Sequence, residues 1–104
     1  MDRELVPRSP LGHLLVDRRK AILELATRWH GTDVRVFGSV ARGEDAPGSD
    51  VDLLVDLHPE AGPLDLSELG ADLEDELVVR VDVGTSASLR PIVRDGVLAE
   101  ARPL

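Results

Sequence analysis

The chain has 104 residues, 20 of them Asp or Glu against 12 Lys or Arg, for a net charge of −8. At 42% hydrophobic it can pack a modest core as one domain; this excludes global disorder, and no apolar run nears the ~20 residues that cross a bilayer. The acid excess, with only Trp29 and Phe37 as aromatics, argues against nucleic acid as the main partner, since few cations can meet phosphates and no platform exists for stacking bases.

No cysteine is present, which removes disulfides, thiolate zinc sites and cysteine nucleophiles. The first ten residues, MDRELVPRSP, are charged and proline-broken, so no secretory leader and a cytoplasmic location are expected. Residues 1–9 read as a flexible arm, and 10–104 as the single domain.

In chain order, Ser9-Pro10 is a helix start, with Ser as N-cap and Pro at the first helical position. Residues 11–30 carry Leu15, Ile22 and Trp29 on one stripe, and Gly31 stops the helix. Residues 34–37 form a short strand ended by Gly38-Ser39, and residues 44–49, EDAPGS, a loop. Residues 51–57, VDLLVDL, are a second strand. Asp65-Leu66-Ser67-Glu68 has the form of a capping box and opens a helix with Leu66, Leu69, Leu73 and Leu77 on one face. Residues 78–83, VVRVDV, are a third strand. Ser88 caps a last helix over 89–98, and 99–104 add an edge strand that could pair with a second copy. This pattern predicts a small α/β (α+β) domain, a mixed sheet with helices packed on one face.

Side chains alternate along a strand. Val51, Leu53, Val55 and Leu57 share one face; Asp50, Asp52, Leu54 and Asp56 share the other. In the third strand Asp82 falls with Arg80, opposite Val81 and Val83. If the two strands are neighbours, Asp50, Asp52 and Asp82 converge. Close carboxylates repel unless a cation sits between them, and oxygen donors suit Mg²⁺ or Mn²⁺. A DxD pair on a strand is also consistent with a plain solvated face. The preceding residues tip the balance. Gly38 permits close backbone approach, and Ser39 with the amides after it can hold phosphate oxygens.

Phe37-Gly38-Ser39-Val40-Ala41-Arg42-Gly43-Glu44, followed by Ser49-Asp50-Val51-Asp52, resembles the signature of the minimal nucleotidyltransferases of the DNA polymerase beta-like superfamily. Arg80-Val81-Asp82-Val83 resembles the family's later strand with a third carboxylate. The resemblance implies the polymerase beta-like fold. It also implies that Asp50 and Asp52 ligate two Mg²⁺ ions (Mn²⁺ as the alternative), that Asp82 completes the second site, and that Gly38 and Ser39 hold the β- and γ-phosphates of ATP. It further implies AMP transfer to a hydroxyl of a partner protein, typified by antitoxins that adenylylate a HEPN-domain RNase toxin. Arg42 is a candidate for contact with a phosphate or a transition-state charge, or for pairing with Glu44 or an Asp of the loop, and Ser49 for orienting Asp50 or for turn chemistry. The rival to an enzyme is a non-catalytic antitoxin that covers a basic partner; a small-molecule acceptor is a further alternative. His13, His30 and His58 show no metal-ligand spacing.

Overall fold

The structure, a computed structural model, describes residues 4–104. The predicted helix 11–30 is two helices, α1 (Pro10–Asp17) and α2 (Arg19–Arg28). As expected, Ser9 caps α1, its hydroxyl accepting the Gly12 N–H at 3.2 Å, with Pro10 in the first turn. At Arg18 the backbone leaves helical geometry, and the guanidinium donates to the carboxylate and the backbone carbonyl of Glu76, both at 3.1 Å. Leu15 and Ile22 are fully buried on either side of this break. Helix α2 ends at Trp29, and His30, at φ 64°, turns the chain into β1 (Gly31–Phe37), so Gly31 is already strand rather than the helix stop.

A one-turn helix, α3 (Gly38–Arg42), and the loop 43–50 join β1 to β2 (Val51–Leu57). Helix α4 (Asp65–Leu77) then crosses to β3 (Val81–Gly84). The capping box does not form. Leu64 is the N-cap without a side-chain bond, and the Asp65 carboxylate instead accepts the Gly62 N–H at 3.2 Å and meets His30 Nδ1 at 2.6 Å. The third strand begins three residues later than its valines predict. Val78 lies in the left-handed region, φ 55°, as the reversal out of α4.

Ser88 caps no α-helix; it exchanges bonds with Thr85 around a 3-10 turn, Ser86–Ser88. The last helix, α5 (Pro91–Glu100), leads into β4 (Arg102–Pro103).

The sheet order is β3-β2-β1-β4, with β2 parallel to β3 and the other pairs antiparallel. This is the mixed sheet expected. Val36, Leu53, Leu69 and Leu73 are among the fully buried side chains of the core between the sheet and α1, α2 and α4. The opposite face is not bare: β2 meets the 3-10 turn there, and Leu54 is fully buried.

Residues 4–9 are no loose arm. Leu5 is buried and donates its N–H to Pro103 O at 2.9 Å, which docks the segment along the β4 edge; residues 1–3 lie outside the described residues. Among the described residues no helix is long and apolar enough to cross a membrane.

Candidate active site

The parallel register sets Asp52 beside Asp82 and Val51 beside Val81. Laterally paired residues point to one side of a sheet, so the two carboxylates stand together while Val51 and Val81 are buried on the other side. The antiparallel register places Phe37 opposite Asp52, which brings the end of β1 and the start of α3 to the same spot. Gly38 sits there at φ 74°, and a Cβ at this position would collide with the Asp52 carboxylate. Glycine is thus needed twice over, for its backbone angle and for the space its side chain leaves.

Asp52 is half-buried, and its carboxyl is pushed above the usual carboxylate range. Burial is the largest cause; the like charges of Asp82 and Asp50 add to it, the Arg42 charge opposes it, and Glu100 adds a smaller push. Asp50 precedes β2 at the end of the loop, part-buried. Among the described residues no three acids or histidines stand close enough to close around one ion as they are. The donor chemistry nonetheless fits a hard divalent cation. The trio offers carboxylate oxygens only, on two adjacent strands and the loop end before one of them. Their mutual repulsion at Asp52 is the strain that a cation relieves.

Arg42, four residues after Gly38, donates from Nε to Glu44 at 2.8 Å and from Nη1 to Glu100 at 2.6 Å. The pairing with Glu44 was one of the two readings of its sequence; the bond to Glu100 was not. The second oxygen of Glu100 accepts the Gly38 N–H at 2.7 Å. Ser39 follows in the first turn of α3, its carbonyl accepting the Glu44 N–H at 2.8 Å. The Ser49 hydroxyl accepts the Ala46 N–H at 2.8 Å, which is turn chemistry within the loop rather than a bond to Asp50.

Two residues on this side had no sequence signal. Glu100 acts from α5, 62 positions beyond its partner Gly38. Arg35, paired with Leu54 across the sheet, reaches Asp56 and the Ser86 hydroxyl, each at 3.2 Å, and so ties β1 to the 3-10 turn. Asp56 is therefore a tethered acid rather than a merely solvated strand end. The acids of α4 are also less idle than a charge run implies. Asp72 accepts the Trp29 indole N–H at 2.8 Å, and Glu74 accepts the Val81 N–H at 3.0 Å.

The chain belongs to the nucleotidyltransferase domain family, whose profile matches residues 18–103 and so takes in both the glycine turn and the two strand carboxylates. Within that family it is a minimal nucleotidyltransferase. A solved structure described by that term superposes with a TM-score of 0.80 at 47% identity, covering 88% of this chain and 94% of the other. Protein adenylyltransferase MntA of Thermococcus cleftensis is 40% identical over 77 residues, 74% of this chain and 78% of that protein. A toxin–antitoxin crystal structure with AMP-PNP shares the fold, with a TM-score of 0.69 at 21% identity over 81% of this chain and 69% of the other.

Proposed function

We propose that this nucleotidyltransferase moves AMP from ATP to a hydroxyl of a partner protein, and that it serves as the antitoxin of a HEPN-type RNase toxin. The observation that carries the reading is the in-register pair Asp52 and Asp82 against Gly38. The name of the Thermococcus relative supports adenylyl transfer to protein, and the shared fold of the toxin–antitoxin structure agrees with an antitoxin role.

In this reading Asp50 and Asp52 would hold Mg²⁺, or Mn²⁺, with Asp82 completing a second position. Such ions neutralise the triphosphate and the departing pyrophosphate and favour the ionised acceptor oxygen. The rest falls to the chain's own groups. Gly38 and Ser39 cradle the β- and γ-phosphates, and Arg42 meets their charge. Ser49 acts indirectly, by holding the loop that delivers Asp50. Asp82 takes the acceptor's proton as its oxygen bonds to the α-phosphorus; the bond from that phosphorus to the bridging oxygen breaks, and pyrophosphate leaves.

The test is label transfer from α-labelled ATP, with Mg²⁺, to proteins in lysate of the host, with Asp50→Asn/Asp52→Asn alongside. A labelled protein with the wild type and none with the double variant is expected, at a loss of at least about a thousandfold for removing both carboxylates. A folded double variant that still transfers label would remove these acids from the chemistry. Label on a small molecule alone would replace the protein acceptor with a metabolite.

A further inference from the structure

One carboxylate spans the whole of α3. Glu100 accepts from the first residue of that helix, the Gly38 N–H at 2.7 Å, and from the last, Arg42 Nη1 at 2.6 Å. Residues four apart stand one above the other on a helix face, so a single side chain can reach both. Glu44 takes Arg42 Nε at 2.8 Å, and among the described residues none takes Nη2. The guanidinium is therefore held along two of its nitrogens, and the half-exposed side chain keeps the third unpaired among the described residues. Helix α5 buries no residue of its own, so this clamp is a principal tie between α5 and the site.

We propose that Glu100 is a positioning residue for nucleotide binding, fixing Gly38 and Arg42 so that the turn and the unpaired nitrogen of Arg42 are preset for the triphosphate beside Asp52. This rests on the reading of Gly38, Ser39 and Arg42 as the phosphate cradle. Glu100 also carries a negative charge, which repels a triphosphate and adds to the push on Asp52. That repulsion acts across a partly exposed site and is screened by salt. The two bonds are short, charge-assisted and fixed in geometry, and they prevail. Without them Arg42 has one carboxylate partner and rotamer freedom to lose on binding.

The experiment measures the affinity of the full chain for a non-hydrolysable ATP analogue with Mg²⁺ by calorimetry, for wild type, Glu100→Gln and Glu100→Ala. The amide spectrum of each protein is recorded without any ligand. Alanine should weaken binding about tenfold, the effect of losing one charge-assisted hydrogen bond. Glutamine should weaken it less, because its carbonyl still accepts the Gly38 N–H. In the ligand-free spectra the Gly38 amide resonance should move far in the alanine variant and little in the glutamine one. In an Arg42→Ala background the Glu100→Ala effect on affinity should be smaller, because only the Gly38 half of the clamp is left to lose. Unchanged or tighter binding by folded Glu100→Ala overturns the proposal while leaving the cradle intact; if that variant does not fold, the same outcome in Glu100→Gln does so. A wild type that binds no analogue overturns the cradle itself, and the positioning role with it.

Discussion

Asp52 shows the cost of bringing carboxylates together. Its carboxyl lies above the ordinary value because it is half-buried beside Asp82 and Asp50. The folded chain therefore holds this proton more tightly than the unfolded chain does. Stability from this group is greatest below the unfolded value near 3.8 and is lost as pH rises through the folded one. Asp52→Asn removes that loss. Its melting temperature should exceed the wild type's at pH 7, by on the order of 2 °C for a partly exposed and screened site, and the gap should close below about pH 4. Melting curves across this range decide it; a gap that does not change with pH would mean the charge is not the cause. On the proposed role of Asp50 and Asp52, saturating Mg²⁺ should raise the wild type more than the variant, since an ion that binds only the folded state stabilises it. Much of this site was readable, because Gly38, Ser39, Asp50 and Asp52 fall within fifteen consecutive residues, a local pattern. Glu100 was not, because its link to Gly38 exists only once α5 has packed on α3.

Among the elements, hydrophobic spacing located the leucine helix α4 and strand β2 well, since each shows one dominant period. It failed where chain reversal overrules propensity. Val78 belongs by composition to a strand, yet it takes the left-handed turn after α4 and is 85% exposed. A β-branched residue there is strained by roughly 1–2 kcal/mol. Val78→Gly should recover about 1 kcal/mol, net of the extra freedom glycine has when unfolded. Urea unfolding measures this directly; a midpoint that moves down would show that Val78 packs usefully where it stands. Likewise, the spacing across 11–30 could not reveal the break at Arg18, because Leu15 and Ile22 keep helical spacing whether or not the residue between them is helical. The partner of Arg18 at the break, Glu76, lies on another helix, out of reach of local spacing.

On the scale of the molecule, both flanking segments close the β1 side of the sheet. Leu5 bonds to Pro103, and Leu104 N–H donates to Val34 O at 3.0 Å while its carbonyl accepts Arg19 Nε at 2.5 Å. Leu104 is buried against the core. Leu104→Ala should cost about 2–3 kcal/mol, the lower part of the range for leucine truncation because the edge can relax. A loss under about 0.5 kcal/mol in urea unfolding would mean that the segment's backbone bonds, and not its side chain, hold this edge. The sequence placed an edge strand here but read residues 1–9 as a free arm, since two adjacent apolar residues, Leu5 and Val6, between charges and a proline carry no periodic signal.

The parallel register of β2 and β3 also governs what lengths of chain this family member can tolerate. Loops 43–50 and 58–64 carry no parity, because a change of length there leaves the faces of the strands as they are. A single-residue insertion or deletion inside β3 is different. It exchanges the two faces of the strand, sends Asp82 toward the core and brings a valine beside Asp52. Only changes in pairs return an acid to the right side. To the sheet, a loop that changes by one residue and a loop that changes by two are therefore alike, while in the short strand that bears Asp82 length is counted by parity.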